Sequence, residues 1–202
     1  MNTELTVFVV DDDEEVRDAM KRLMNSVGLT VETYASAEDF LAQFDPARPG
    51  CLLLDVRMEG MSGLDVQERL ALEDVQPPII IITGHGDVPM AVRAVMAGAV
   101  DFIEKPFNEQ VLLDSVHRAI ELDGKHRGRA LQLADICTRL ERLTTREREI
   151  LDLVVAGKRN KVIAGELGIS QSTVGSHRAK VMEKMQAESL SDLMRMMLSL
   201  QS

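Results

Sequence analysis

The sequence predicts a doubly wound α/β domain on a five-stranded parallel sheet, followed by a small all-α domain. Three observations carry that prediction. Over the first 121 of the 202 residues, short apolar runs alternate with stretches of helical spacing, the pattern of a parallel sheet with helices on both faces. From Thr144 onward only helical spacing remains. Charge divides in the same way. Residues 1–121 carry 23 Asp and Glu against 9 Lys and Arg, a net of −14, whereas residues 122–202 carry 10 against 14, a net of +4. An acidic half suits a metal or phosphate site and a basic half suits nucleic acid, so the overall charge of −10 does not exclude a nucleic-acid partner.

The strands are expected at Leu5–Val10, Thr30–Tyr34, Cys51–Leu54, Ile79–Thr83 and Val100–Ile103. Ile79–Ile82 is apolar at every position, as a central strand covered on both faces requires. The first helix is signalled by the stripe Val16, Met20, Leu23 and Val27. Residues 122–142 read as a linker, partly helical: Gly124 and Gly128 lie among charged residues, followed by Leu133, Ile136, Leu140 and Leu143 at helical spacing. Thr144 and Glu147 form a capping box. Helices are then predicted at Thr145–Ala156, Asn160–Leu167, Gln171–Met185 and Ser189–Leu200, with Gly157 and Gly168 as C-terminal caps.

A hydrophobic content of 45% and a charged content of 28% fit a folded, soluble chain. Cys51 and Cys137 lie in apolar segments and are expected to be buried thiols of a reducing compartment. No N-terminal signal pattern and no apolar run near the roughly 20 residues of a membrane span occur. A cytoplasmic location is expected, with no membrane partner.

In a doubly wound sheet, ligands sit outside the carboxyl ends of the strands. Here those ends are rich in chemistry. The first strand runs into Asp11, Asp12 and Asp13, the third ends at Asp55, the fourth at Thr83, and the fifth is followed by Lys105 and Pro106. Carboxylates converging on one crevice suit a hard divalent cation such as Mg²⁺. A carboxylate can also attack phosphorus, while an ammonium and a hydroxyl stabilise phosphoryl oxygens. Asp13 is better read as the N-cap of the first helix than as a ligand, and the isolated His85 as an exposed loop residue.

Val9-Val10-Asp11-Asp12, Leu54-Asp55, Ile82-Thr83-Gly84 and Lys105-Pro106-Phe107 resemble, in order and spacing, the signature of response-regulator receiver domains, which have a flavodoxin-like fold. The resemblance covers about 120 residues. It implies that Asp55 accepts a phosphoryl group from a sensor histidine kinase. It also implies that Asp11, Asp12, Asp55 and the backbone carbonyl of Arg57 hold Mg²⁺, with Mn²⁺ as a substitute. Thr83 and Phe102 would form the switch pair, Lys105 would contact the phosphoryl group, and the Lys105–Pro106 bond would be cis. Two departures stand out. Glu59 occupies a position where the family usually has proline, and Phe102 brings a ring without a hydroxyl.

Leu143-Thr144-Thr145-Arg146-Glu147, Asn160–Ala164, Leu167-Gly168-Ile169-Ser170, Thr173-Val174, His177 and Lys184 resemble the LuxR-type helix-turn-helix. Ile163 and Leu167 face Val174, Val181 and Met185 across a Gly-Ile-Ser turn, so the Gln171–Met185 helix is placed to enter a major groove. Its outward side would hold Ser172, Ser176, Ala179 and Lys180, with Thr173 at its start. Lys161, Arg178, Lys180 and Lys184 are candidate phosphate contacts. Gly175 departs from the Lys or Glu often found there, removes a base-reading side chain, and costs roughly 1 kcal/mol of helix stability against alanine.

Together the two halves, with Ile82–Val92, resemble the FixJ type of transcriptional response regulator. Double-stranded promoter DNA and RNA polymerase are the expected partners. The exposed-looking apolar set Val88, Val92, Val95 and Met96, beside Thr83 and Phe102, leads to the expectation of a symmetric homodimer on phosphorylation, through the fourth helix and fifth strand. Two other functions compete. An aspartyl-phosphate phosphatase generally needs a second Asp two residues after the nucleophile, where Arg57 stands. A signalling adapter would use the helical domain to bind protein or RNA rather than DNA.

Overall fold

The computed structural model describes residues 4–72, 77–84 and 88–200. Strands β1 (Thr6–Val10), β2 (Thr30–Tyr34), β3 (Gly50–Asp55), β4 (Ile79–Thr83) and β5 (Asp101–Glu104) form one sheet in the order β2-β1-β3-β4-β5. Every neighbouring pair is parallel. Between the strands run α1 (Glu14–Ser26), α2 (Ala37–Gln43), α3 (Gly63–Leu72) and α4 (Val88–Met96). After β5 come α5 (Glu109–Glu141), α6 (Thr145–Val155), α7 (Asn160–Leu167), α8 (Gln171–Met185) and α9 (Leu190–Ser199).

Alternation along each strand sends successive side chains to opposite faces. Phe8, Val10, Leu52, Leu54, Ile79 and Ile81 pack with α2, α3 and α4. Val7, Val9, Cys51, Leu53, Ile80 and Ile82 pack with α1 and the first turns of α5. Because both faces are covered, β1, β3 and β4 are buried at every position, which is why they read as unbroken apolar runs. The chain leaves β1 for β2 on one side and returns to β3 on the other. The strand order therefore reverses between β1 and β3, and a crevice opens beyond their carboxyl ends.

The chain divides into two compact units, Met1–His126 and Arg127–Ser202. The stretch read as a partly helical linker is helical as far as Glu141, where α5, a helix of 33 residues, ends. Gly124 and Gly128 do not interrupt it, although each weakens a helix interior. In the second unit, Ile136 and Leu140 of α5 join Ile150, Leu151, Ile163, Val174, Val181, Met185 and Leu193 in one core. The cap of α6 is formed as expected: the Thr144 side chain accepts from the Glu147 N–H while the Glu147 carboxylate accepts from the Thr144 N–H. Gly168 is left-handed at the C-cap of α7, with φ of 65°, and the Ser170 hydroxyl caps α8.

Two expectations are corrected. Val27 lies beyond the end of α1 and is exposed, so the stripe on the core is Val16, Met20, Leu23 and Met24. Cys51 is buried but Cys137 is exposed, since it stands one residue round the helix from the buried pair Ile136 and Leu140. His85 lies outside the described residues. Among those described, no helix is long and apolar enough to cross a membrane.

Candidate functional site

Beyond the ends of β1 and β3, three elements bring charge together. Asp11 directly follows β1, and its Oδ1 accepts the Asp13 N–H at 3.0 Å. Asp55 closes β3, and its Oδ2 accepts the Arg57 N–H at 2.7 Å. From the far side of β4, the loop after β5 delivers Lys105, whose Nζ donates to Asp11 Oδ2 at 2.6 Å and to Asp55 Oδ1 at 2.8 Å. The Lys105–Pro106 bond is cis. Asp12 is exposed and accepts the Glu59 N–H at 3.3 Å. Asp13 is the N-cap of α1, accepting from the Glu15 and Val16 N–H groups, and is thereby occupied as a cap.

Asp11 and Asp55 are almost wholly buried. Burial pushes the Asp55 carboxyl above its usual range, against the opposing pull of the Lys105 ammonium. Burial acts on Lys105 the other way, but its hydrogen bonds to Asp11 and Asp55 prevail and hold its pKa above the ordinary value. Thr83 is fully buried at the end of β4, and its carbonyl accepts the Lys105 N–H at 2.8 Å. Phe102 pairs with Ile81 in register, half-buried against the core that α4 covers. Thr83 lies two residues beyond Ile81, so it shares that sheet face.

In the second unit, α8 buries Val174, Val181 and Met185 and exposes Ser172, Thr173, Ser176, Ala179 and Lys180. Lys161 is exposed on α7. Arg178 is half-buried and donates to Asn160 Oδ1 at 3.0 Å, tying α8 to the start of α7. Lys184, expected to meet a phosphate, is engaged within the fold. Its ammonium donates to Glu147 Oε2 at 2.6 Å and to the Arg142 carbonyl at 3.0 Å. The Lys184 hydrogen bond, and then that from the Thr144 N–H, pull the Glu147 carboxyl down to about 2.

The family model for the response regulator receiver domain matches residues 7–117, and that for bacterial regulatory proteins of the luxR family matches residues 141–197. Transcriptional regulatory protein FixJ of Rhizobium meliloti is 47% identical, across 98% of this chain and 97% of that protein. The chain belongs to the FixJ-type response regulators. Nodulation protein W of Bradyrhizobium diazoefficiens is also 47% identical, over 96% of this chain and 86% of that protein. The solved structure of the response regulator StyR matches with a TM-score of 0.86 at 44% identity, covering 96% of this chain and 98% of that one.

This response regulator is a DNA-binding protein of a two-component system. Receiver domains of the family accept phosphoryl groups rather than turning over substrates, and use Mg²⁺ for the transfer; the receiver and helix-turn-helix architecture implies a sensor kinase and DNA as partners. The donor set fits such a cation. Asp11 and Asp55 bring two carboxylates against one ammonium, with Asp12 exposed next to Asp11 in the chain, and Mg²⁺ commonly takes one or two carboxylates while keeping waters. Among the described residues, no three His, Cys, Asp or Glu side chains are grouped so as to hold a metal ion by themselves, and Lys105 stands between Asp11 and Asp55.

Two residues of the response regulator's acidic site escaped the sequence. Arg17 donates to the Asp11 carbonyl at 2.7 Å, which fixes the backbone that carries the acid pair. Gly63 opens α3 against the end of β3, where a Cβ would lie 2.1 Å from the Asp55 carbonyl oxygen. Any side chain there would displace Asp55. The signal for Arg17 was its place one turn into α1; for Gly63 there was only the glycine itself.

Proposed function

We propose that Asp55 is the phosphoacceptor, that its phosphorylation by a sensor histidine kinase is read through Thr83 and Phe102, and that the outcome is dimerisation and promoter binding. The observation that carries this is the Lys105 ammonium held between the buried carboxylates of Asp11 and Asp55 at the switch point of the sheet. Mg²⁺, or Mn²⁺ in its place, would be held by Asp11, Asp12, Asp55 and the Arg57 carbonyl, and when bound supplies positive charge to the phosphoryl oxygens. An Asp55 carboxylate oxygen forms the new bond to phosphorus as the N–P bond of the kinase's phosphohistidine breaks and the imidazole leaves. Lys105 then exchanges a carboxylate partner for a phosphoryl oxygen without leaving its place, and the Thr83 hydroxyl donates to another.

The functional division follows the charge: a receiver over residues 1–121, a helical linker over 122–142 and a DNA-binding domain over 143–202. The homodimer forms through α4 and β5, where Val88, Val92, Val95 and Met96 are all at least half exposed. Two copies of α8 then read a two-fold site. Ser172, Thr173 and Ser176 face the bases. Lys161, Lys180 and the remaining donors of Arg178 meet phosphates, and Lys184 acts through Glu147 by fixing α8 on α6. The bound dimer works with RNA polymerase in the cytoplasm.

The test is labelling with a small-molecule phosphodonor and Mg²⁺. Wild type should take up one base-labile phosphoryl group and Asp55→Asn none; equal labelling of the two would refute the assignment.

A further inference from the structure

Glycine is the least favourable helix-interior residue after proline. Where it persists, the usual reasons are a left-handed backbone or a close approach that no Cβ could survive. Gly175 in α8 has neither. It is not among the left-handed glycines, and a Cβ built on it meets nothing within 4 Å. Nothing inside the helical unit requires glycine at this position. Its neighbours on the outward side are also short: Ser172, Ser176 and Ala179 lie three before, one after and four after it, and all three are exposed. The nearest guanidinium, on Arg178, already donates to Asn160. Lys180 is the one long cationic donor that α8 extends outward next to these residues.

We propose that Gly175 is a specificity-determining position: its missing side chain lets the α8 backbone approach the floor of the major groove, where Ser176 and Ala179 meet the C5-methyl group of a thymine. The inference rests on the reading that α8 docks in that groove. Guanine and adenine are recognised at reach by the forked or amide ends of Arg, Lys, Asn and Gln, whereas short apolar side chains discriminate through thymine methyls and only at contact. A surface that ends in methyl and hydroxyl groups reads bases only if the helix backbone comes close. Glycine at 175 permits that approach at the expense of helix stability.

The test uses the full-length phosphorylated protein and a duplex selected by it from random sequence. The same duplex is then made with each thymine replaced in turn by deoxyuridine, which removes only the methyl group. Wild type should lose affinity at one such position in each half-site. Gly175→Ala should raise the Tm, bind the selected duplex roughly tenfold more weakly, and no longer distinguish thymine from deoxyuridine there. A lowered Tm would show that the glycine serves the fold and would overturn the proposal, as would unchanged affinity with the thymine preference intact. Lys180→Ala, measured beside it, separates the two layers. If Lys180→Ala leaves affinity and salt dependence unchanged, the docking itself is wrong and the thymine contact goes with it. If Lys180→Ala weakens binding while Gly175→Ala does not, only the thymine contact is lost.

Discussion

Lys105 and Lys184 each place an ammonium 2.6 Å from a carboxylate that is nearly removed from solvent, yet the two pairs are built for different ends. Around Lys184 the accounts of charge and hydrogen bonding close. One carboxylate faces one ammonium, two N–H groups of the α6 cap are used, and the Glu147 carboxyl falls to about 2. Around Lys105 the hydrogen bonds close but the charge does not. Two buried carboxylates, Asp11 and Asp55, share one ammonium, and burial leaves the Asp55 carboxyl above its ordinary range in spite of the lysine. A buried charge cluster with too little compensation costs stability and is poised to gain a cation. A compensated one braces the fold. The two carboxyls are displaced in opposite directions although each lies beside an ammonium.

The largest effect that would break this comparison is at the acidic site. Asp12→Ala should leave the fold intact, by relieving like-charge repulsion, and should raise the Mg²⁺ concentration needed for half-maximal labelling by roughly tenfold or more, since even residues outside a metal's direct ligands commonly matter by 10–100-fold. Labelling at wild-type speed in limiting Mg²⁺ would remove Asp12 from the metal site. At the strut, Lys184→Met leaves the buried Glu147 without its ammonium and should destabilise the helical unit by about 2 kcal/mol, read by denaturant titration of the full chain. It should weaken DNA binding without changing its salt dependence. Lys180→Ala should do the reverse: stability unchanged, affinity lower on every sequence, and the slope of log K against log salt reduced by about one.

Much of this was legible in the sequence because the decisive features are local. The apolar runs that became β1, β3 and β4 end in Asp11 and Asp55, and their shared parallel direction brings those ends together. Less legible were features that depend on a partner distant in the chain. Lys184 is a basic residue on a helix in a basic domain, and nothing in its neighbourhood shows that Glu147, 37 residues earlier, claims it. Gly63 looks like any helix-entry glycine until the Asp55 carbonyl is seen 2.1 Å from its absent Cβ. Gly124 and Gly128 suggested a linker only partly helical, and α5 runs through both. Val27 continued an apolar period that α1 itself had ended.

The smallest effect sharpens the strut. The Glu147 carboxyl is depressed in the folded state, from an ordinary value of 4.5 to about 2. The stability it contributes is therefore fully present above its ordinary value and is lost as pH falls from there through about 2. Glu147→Gln should flatten the acid limb of helical-unit stability over that window, followed by circular dichroism of the full chain. An unchanged acid limb would mean that Glu147 is not held by Lys184 in solution.

The central claim is that the charge-imbalanced cluster around Asp55 controls what the basic helical unit does. The most direct measurement is binding of the intact protein to its selected duplex, with and without a small phosphodonor and Mg²⁺, for wild type and Asp55→Asn side by side. Wild type should gain affinity, with a two-fold site protected, only when both donor and Mg²⁺ are present, and Asp55→Asn should stay at the unphosphorylated level throughout. An equal gain in both proteins, or none in fully phosphorylated wild type, would contradict it.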